Sequence, residues 1–532
     1  MDVVNDRDEK FYVTTPIYYV NDRPHIGHLY TTTVADIVAR FYRLQGKTVF
    51  FLTGVDEHAA KVVDAATEHG VSPQAWADQN AAVFQETFTR LGTTHDDFIR
   101  TSQDRHKQRV TQYVRQLMAG GDVYAGQYEG WYDAGQEEYV PDNKAKEYDF
   151  KSPVNRKPLV RKQEKNYFFR LGRYANRLQK WIEEENPVFV QPEARRNEVL
   201  GRIREGLNDV PISRSGTGGW GIPIPDDPEQ TIYVWIDALF NYLSTVDAEG
   251  RQRFWPADVH FIAKDILWFH AVIWPAMLMA LDRPLPRMVY AHSYWISEGQ
   301  KMSKSLGNFI DLERIDSYVD QLGLDALRYF LATEGPMGAT DADFAHQRFI
   351  DVYNGELANA LGNCLNRVVN MTGRYFDGRL PAPQADPGVL GQFGAETAAA
   401  FVQGRGLASR QAMAKLDLHG AARHAMDIVR GVDTYIETHQ PFKRIKESDG
   451  RDAVGTMLYT CAESLRHASI ALWPIMPSKI ETLWSALGCT AYQEALHDKG
   501  RGDLETWTST WGVLNPGTAV ALEGPLFPRV QG

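Results

Sequence analysis

The chain has 532 residues, of which 43% are apolar and 23% are charged, and its formal net charge is −11. This length predicts about two to four domains with large cores, and the composition excludes a disordered, collagen-like or low-complexity protein. The acidic balance also excludes a generally basic nucleic-acid-binding protein, so any polyanion must be bound by a local basic surface.

The cysteine content and the apolar runs indicate the compartment. Three cysteines occur, Cys364, Cys461 and Cys489, and their wide spacing fits neither a disulfide framework nor a set of thiolate zinc ligands. The N-terminus is charged, and the longest apolar run, near residues 271–281, is too short to cross a bilayer. We therefore expect a cytoplasmic protein that has no membrane segment.

Strand and helix patterns alternate in the first 120 residues. The apolar run FYVTT at 11–15 predicts a buried strand, and the apolar residues that follow at helical spacing predict a helix that ends at Gly46. TVFFLTG at 48–54 then predicts a second strand. Strands that alternate with helices predict a doubly wound parallel sheet of the Rossmann type.

The rest of the chain divides into three further parts. Residues 121–208 begin with a stretch rich in Tyr, Gly and alternating charge, which predicts a small β-rich insertion. The α/β pattern resumes over 209–340, so we expect residues 1–120 and 209–340 to form two halves of one domain. Amphipathic helical periods predict an all-α helical bundle over 341–532, with the C-terminal tail packing back.

Two histidines lie where the first predicted strand passes into the first helix. RPHIGHLY at 23–30 places His25 and His28 at i and i+3, so both imidazoles can point to one side and donate to phosphate oxygens. Gly27 has no Cβ to obstruct a ligand at the carboxyl end of the strand. Ordinary helix-start histidines are an alternative. A metal site that adds His58 is a weaker one, because no carboxylate or Cys completes a recognisable ligand spacing.

A second motif contains two lysines. EGQKMSKSLGN at 298–308 carries Lys301 and Lys304, which on their own are typical of a solvated loop. However, KMSKS and the upstream HIGH are the complete signatures of the class I aminoacyl-tRNA synthetases, which the chain therefore resembles. A random chain of this length contains the pentapeptide on the order of once in several thousand trials.

The resemblance implies a chemistry for both motifs. In that class the histidines and the lysine loop bracket the triphosphate of ATP, supplied with Mg²⁺, while the amino-acid carboxylate attacks the α-phosphate. The protein then positions the groups and neutralises developing charge. The residues implied in catalysis are His25, His28, Lys301 and Lys304. Those implied in ATP binding are these four with Gly27, Lys264 and Asp265, and Arg214 is implied in support of the reaction centre.

Further stretches resemble the methionyl-tRNA synthetases within this class. They include FFLTGVDEH, YVWIDALFNY and KDILWFHAVIWPAML, and the similarity covers nearly the whole chain. About 95 residues separate the first-half helices from PISRS at 211–215, which leaves no room for the editing domain of the isoleucine, valine and leucine enzymes. The implied reaction is methionine activation by ATP and transfer to tRNA(Met), including initiator tRNA.

The same resemblance assigns a methionine site. It places Asp56 at the α-ammonium and eight residues around the side chain. These eight are Ile17, Tyr19, Trp235, Ala238, Tyr242, Ile266, His270 and Trp274. Ile266, His270 and Trp274 are also spaced to share one helix face, and aromatic rings suit a polarizable thioether. The alternative is an aromatic core stripe in which His270 is a satisfied core histidine.

Some positions depart from the family pattern. Many members bind zinc in the insertion through CxxC pairs, whereas Asp133 and Gln136 stand at these positions here. We therefore expect no protein-bound zinc. Ala59, Ala263 and Leu239 replace residues common in the family, and these changes concern only fine pocket geometry.

Residues that suit anticodon recognition lie in the predicted helical domain. Asn363 and Arg367 are at i and i+4, and Phe442 precedes a basic run at a position where the family typically has tryptophan. Anticodon bases are read by stacking and by hydrogen bonds at their edges, so the resemblance implies that these three residues bind the anticodon. A solvated helix face with a buried Phe is the alternative.

Two other functions fit parts of the sequence. A small adenylyltransferase with an HxGH motif needs neither the helical domain nor KMSKS. A non-catalytic tRNA-binding paralogue has no use for donors that stabilise a transition state, so two complete signatures argue against it. Nothing after residue 530 resembles an appended tRNA-binding or dimerisation domain, so we expect a monomer.

Overall fold

The structure, a computed structural model, describes residues 10–135, 138–140, 142–215, 219–302 and 307–531. Residues 10–119 alternate between strand and helix, as the apolar pattern predicts. The elements are β1 (Lys10–Tyr19), α1 (Ile26–Leu44), β2 (Thr48–Asp56), α2 (Ala60–Glu68), α3 (Pro73–Arg90), β3 (Asp97–Arg100) and α4 (Asp104–Ala119). The chain leaves α1 through Gly46, whose φ of 87° favours glycine, so the predicted helix end is confirmed.

The following region contains longer antiparallel strands and short helices. Its elements are β4 (Val123–Asp133), β5 (Glu138–Val140), α5 (Asp142–Glu147), β6 (Val160–Phe169), α6 (Ala175–Lys180), β7 (Val190–Gln191) and α7 (Glu193–Arg204). β4 and β6 form a long antiparallel pair, from Val123 opposite Phe169 to Tyr132 opposite Val160. The β-rich character expected from the sequence is therefore present.

Strands and helices then alternate again. The elements are β8 (Val210–Pro211), β9 (Ser213–Ser215), β10 (Pro223–Ile224), β11 (Asp227–Ile232), α8 (Val234–Leu239), α9 (Asn241–Ser244), β12 (Val259–Ala263), α10 (Trp274–Ala280), β13 (Val289–His292), β14 (Trp295–Ser297), α11 (Leu312–Leu322) and α12 (Leu324–Glu334). A π-helical turn at Phe269–Ile273 precedes α10.

Six strands form one parallel sheet in the order β3-β2-β1-β12-β13-β7. β12 and β13 belong to the second half of the chain and pair beside β1, which joins the two halves in one sheet. β7 extends the sheet at its edge. Because all six strands run the same way, their carboxyl ends meet at one edge, as in doubly wound folds.

Helices dominate the remainder of the chain. The elements are β15 (Ala342–Phe344), α13 (His346–Val352), α14 (Asn363–Phe376), β16 (Gln392–Phe393), β17 (Glu396–Thr397), α15 (Ala398–Ala414), α16 (Leu418–His439), α17 (Pro441–Arg444), α18 (Gly450–Leu472), α19 (Pro477–Leu487), α20 (Ala491–Lys499) and α21 (Leu504–Ser509). The three strands are too short for a sequence pattern to reveal them. No helix within the described ranges has the length and hydropathy that a membrane span requires. The fold class, a split parallel-sheet domain with a helical domain after it, is confirmed.

A buried arginine joins the sheet domain to the helical domain. Arg328 of α12 donates to the Asp36 carboxylate in α1 (2.7 Å) and to the carbonyls of Ile475 (2.9 Å) and Pro474 (3.1 Å). Arg328 and Asp36 are 1% and 0% exposed. Burial raises the pKa of Asp36, but Arg40 and Arg328 outweigh this and lower it, so the carboxylate is ionised.

We predict that Arg328→Ala lowers the free energy of unfolding by about 3 to 5 kcal/mol, because Asp36 loses a charged partner inside the core. Urea unfolding would measure this loss. The matched control is Arg348→Ala, which removes a largely exposed arginine paired with Glu334 and should cost about 1 kcal/mol or less. Equal losses in the two variants would contradict the prediction.

Candidate active site

A cavity of about 480 Å³ opens at the carboxyl ends of the central strands. Its lining comes from the end of β1, the start of α1, the end of β2, the start of α8 and the segments that follow β12 and β13. This volume suits a small-molecule substrate. Tyr19 and Asp56 are register partners in β1 and β2, so the sheet itself brings these two lining residues together.

The two histidines of RPHIGHLY cap α1 reciprocally. His25 is the N-cap residue, and its Nδ1 accepts from the Gly27 N–H (3.1 Å). The backbone N–H of His25 donates to Nδ1 of His28 (3.2 Å), and the ring centroids are 3.9 Å apart. Since Nδ1 accepts in both rings, each neutral imidazole carries its proton on Nε2. The histidines therefore start the helix, as one alternative from the sequence expected, and they also line the cavity.

His28 is neutral at physiological pH. Burial lowers its pKa well below the usual value, and repulsion from His25 adds to this effect. Its ring packs against Tyr18 and Phe84, with centroid distances of 4.8 and 5.5 Å. A neutral ring with the proton on Nε2 can donate one hydrogen bond but is not a strong acid, which suits the stabilisation of charge more than proton transfer.

The segment after KMSKS contacts the histidines directly. Phe309 meets the His25 ring edge-on (5.2 Å), and the Ile26 N–H donates to the Ile310 carbonyl (3.2 Å). Lys301 is exposed and does not line the described cavity. Lys304 lies outside the described residues. The segment that follows the second motif therefore packs against the first motif at the start of α1.

Five of the nine residues predicted to bind methionine line this cavity. They are Ile17, Tyr19, Asp56, Trp235 and Ile266. The Trp235 ring meets Tyr19 edge-on (5.9 Å) and stacks on Phe269 with centroids 4.4 Å apart. The remaining four are buried and are not among the described residues that line the cavity. They are Ala238, Tyr242, His270 and Trp274.

The single regular helix expected through Ile266, His270 and Trp274 is interrupted by the π-helical turn. His270 still reaches back to the Ile266 carbonyl through Nδ1 (2.9 Å), and its Nε2 bonds to the Tyr242 hydroxyl (2.7 Å). Trp274 instead faces the core, where its indole N–H meets His260 (3.4 Å). Burial lowers the pKa of His270 to about 4, so this ring is neutral at physiological pH.

The other residues implied in ATP binding or in support of the reaction centre lie in different settings. Asp265 lines the cavity and is exposed. Lys264 pairs with Asp341 (2.6 Å) and lies over the Tyr294 ring (4.6 Å). It is not among the described residues that line the cavity. The Arg214 guanidinium lies over the Tyr233 ring (4.3 Å) and is not part of that lining either.

Comparison with known proteins identifies the family. The family model of class I tRNA synthetases (M) matches residues 11–151 and 147–369. The methionine–tRNA ligase of Caldanaerobacter subterraneus is 42% identical over 98% of this chain and 79% of its own length. That of Streptomyces coelicolor is 41% identical over 98% of this chain and 97% of its own. The chain belongs to the methionine–tRNA ligase family of class I synthetases.

A solved relative extends this result to the fold. Mycobacterium tuberculosis methionyl-tRNA synthetase, in complex with methionyl-adenylate, superposes with a TM-score of 0.87 and 35% identity over 98% of this chain and 100% of that chain. The family and fold that HIGH and KMSKS indicate are therefore confirmed.

Sequence reasoning about this ligase missed several cavity residues. They are Tyr18, Tyr30, Thr31, His292, Ser293, Tyr294, Trp295 and Phe309. His292 ends β13 and bonds through Nε2 to the Thr31 hydroxyl (2.7 Å), which ties that strand to α1. The rule that parallel strands end at the ligand site could have found His292 once β13 was recognised.

The residues predicted to meet the anticodon lie on helices of the C-terminal domain. Asn363 begins α14 and is exposed, and Arg367 pairs with Glu437 (2.6 Å) and Asp433 (3.4 Å) of α16. Phe442 is 37% exposed, which contradicts the alternative of a buried Phe. A partly exposed ring can stack on a base.

The insertion offers poor ligands for zinc. Residues 121–208 contain neither Cys nor His, the donors that structural zinc prefers, and all three cysteines of the chain are buried in the helical domain. Asp133 is buried at the end of β4, and Gln136 lies outside the described residues. Within the described residues, no group of three His, Cys, Asp or Glu could hold a metal ion.

We predict that acid destabilises the protein below about pH 6.5 because of its buried histidines. Burial lowers the pKa of His270 and of His292 to about 4, so the unfolded chain binds more protons than the folded one between these values. The free energy of unfolding should therefore fall by about 2 kcal/mol per histidine between pH 7.5 and pH 5. Urea unfolding at both pH values measures the loss.

The His270→Gln variant provides the control, because its amide does not titrate in this range. This variant should lose about 2 kcal/mol less than the parent protein between the two pH values. An identical pH dependence in both proteins would mean that His270 is not held neutral in the fold.

Proposed function

We propose that the cavity at the start of α1 is where this methionine–tRNA ligase joins methionine to ATP. One observation carries the proposal: the imidazoles of His25 and His28 line the same cavity as the carboxylate of Asp56. Donors suited to phosphate oxygens and an acceptor suited to an ammonium group are the two features that this reaction needs. The methionine carboxylate attacks the α-phosphorus of ATP, and pyrophosphate leaves with the electrons of the broken P–O bond.

The methionine half of the site is proposed around Asp56. Its carboxylate binds the α-ammonium, and Ile17, Tyr19, Trp235 and Ile266 surround the thioether, a contact that aromatic rings favour. Ala238, Tyr242, His270 and Trp274 form the wall behind them. The hydrogen bond from the Tyr242 hydroxyl to His270 supports this role, since it fixes that wall without a charge.

The ATP half is proposed around the two motifs. The Nε2–H groups of His25 and His28 donate to phosphate oxygens, and Gly27 leaves room beside them. Lys301 and Lys304 neutralise the charge that develops as pyrophosphate leaves, and ATP enters with its own Mg²⁺. Lys264, Asp265 and Arg214 are proposed to support the nucleotide and the reaction centre. The contact between Phe309 and His25 supports a shared site for both motifs.

The tRNA is proposed to span the two domains. Residues 1–120 and 209–340 form the catalytic domain, 121–208 the insertion and 341–532 the anticodon-binding domain, where Asn363, Arg367 and Phe442 meet the anticodon. The substrates are elongator and initiator tRNA(Met). We further propose a cytoplasmic monomer without bound zinc. The absence of Cys and His from residues 121–208 supports the last point.

Amino-acid-dependent exchange of pyrophosphate into ATP tests the proposed reaction. Methionine should support exchange, and leucine, isoleucine and cysteine should support much less. Since Nδ1 of His28 caps the helix and Nε2 carries the donor, His28→Asn should keep the cap and lose about 100- to 1,000-fold in rate. His28→Gln, whose amide can reach the Nε2 position, should lose less.

Lys304→Ala should slow exchange over the same range of about 100- to 1,000-fold, with a smaller effect on substrate binding. Nearly intact exchange in both His28→Asn and Lys304→Ala would refute the assigned roles. Methionine-independent exchange would instead refute the proposed reaction.

We predict that Arg367→Ala raises the KM for tRNA(Met) about tenfold or more and leaves tRNA-independent pyrophosphate exchange unchanged, because Arg367 lies outside the catalytic domain. Steady-state aminoacylation measures the first quantity. Arg348→Ala serves as the control, since this arginine of α13 pairs with Glu334 and carries no proposed role in tRNA binding. A parallel loss in aminoacylation and exchange would contradict an anticodon role for Arg367.

A further inference from the structure

We propose that Asp237 is a positioning residue for methionine, because its carboxylate clamps the two halves of the catalytic domain together beside the residues that bind the amino acid. The inference rests on the proposed methionine site. Asp237 lies on α8, two residues after Trp235, and its side chain does not line the cavity. It therefore acts through its neighbours.

Both oxygens of this carboxylate accept from histidines of the first half. Nδ1 of His58 is 2.6 Å from Oδ2, and Nε2 of His106 is 2.7 Å from Oδ1. His58 follows β2, His106 lies in α4, and all three side chains are buried. The clamp thus spans 179 and 131 residues of sequence, across the insertion.

The carboxylate of this clamp is ionised. Burial on its own raises the pKa of Asp237, but the electrostatic interactions and hydrogen bonds with His58 and His106 outweigh burial and lower the pKa to about 2. An ionised carboxylate carries no proton, so both of its oxygens can accept hydrogen bonds at the same time. An asparagine would present an N–H₂ group to one of the two imidazole N–H groups.

The clamp bears directly on Asp56. The backbone N–H of His58 donates to the Asp56 carboxylate (3.3 Å). Asp237 holds the ring of His58, and the backbone of the same residue orients Asp56, the proposed ammonium acceptor. Trp220 adds to this anchor, since its indole N–H donates to the Glu57 carbonyl (2.6 Å) and its ring meets His58 edge-on (5.5 Å). The backbone from Asp56 to His58 is therefore held from several sides.

Glu57, which lies between Asp56 and His58, is bound separately to the first half of the catalytic domain. Its carboxylate accepts from Arg100 (2.7 Å), and its N–H donates to the Thr101 hydroxyl (3.0 Å). These bonds fix the segment to β3 and to the turn after it, whereas Asp237 ties it to α8. Since α8 also carries Trp235, the clamp sets the separation between the ammonium acceptor and the aromatic ring that contacts the side chain.

Pyrophosphate exchange of the full chain with Asp237→Asn tests the inference. We expect the KM for methionine to rise at least tenfold, while the KM for ATP changes less than twofold. Asp247→Asn is the matched control, since Asp247 accepts from Tyr113 of the same helix α4 (2.7 Å) and from Arg283 (2.9 Å), away from the cavity. This control should leave the methionine KM unchanged, and equal effects in the two variants would overturn the proposal.

A second pair of variants keeps the test decisive if Asp237→Asn does not fold. His58→Asn retains an N–H donor near the Nδ1 position and should keep the methionine KM within about threefold, whereas His58→Leu should raise it at least tenfold. Equal KM values for the Asn and Leu variants would overturn the role of the clamp.

Asp56→Asn separates this inference from the function on which it rests. If Asp56→Asn raises the methionine KM and neither Asp237→Asn nor His58→Leu does, the clamp alone is refuted. If Asp56→Asn leaves the methionine KM unchanged, the proposed methionine site itself is refuted.

Discussion

β1 pairs in parallel with β2 on one side and with β12 on the other, and this pairing places the side chains that line the cavity. The strand order brings the carboxyl ends of sequence-distant strands to one edge, where the N-terminus of α1 also opens. Tyr19 meets Asp56 because their positions are in register. Gly54 allows the close approach of β3, since a Cβ there would lie 2.1 Å from the Ile99 carbonyl oxygen.

Burial holds three histidines neutral, two in the cavity lining and one behind it. His28, His270 and His292 all have a pKa below the usual value, because the surrounding apolar side chains disfavour the cationic form. Neutral donors fixed by packing provide hydrogen bonds that need no reorganisation when charge develops on a substrate. By contrast, two buried carboxylates are ionised and paired: Asp237 lies between two histidines, and Asp36 lies beside Arg328.

α1 connects the site to the rest of the molecule. Its first turn holds both histidines, and its middle holds Asp36, which Arg328 links to the carbonyls that follow α18. The helical domain is therefore anchored to the same helix whose first turn lines the cavity. Since a packed helix moves as a rigid unit, this arrangement fixes the helical domain relative to the cavity.

The sequence by itself determined the family, the fold class and the two signature motifs, because contiguous residues such as HIGH, KMSKS and the alternating apolar runs carry that information locally. It also placed Asp56 and Trp235 at the cavity through resemblance to relatives. Tertiary structure alone decided that Trp274 packs in the core against His260, after a π-helical turn at Phe269–Ile273. It also decided that His292 joins Thr31 and that Asp237 clamps His58 and His106. These contacts bring together residues more than 100 positions apart, except for the local turn at Trp274, and no local pattern encodes such a pairing.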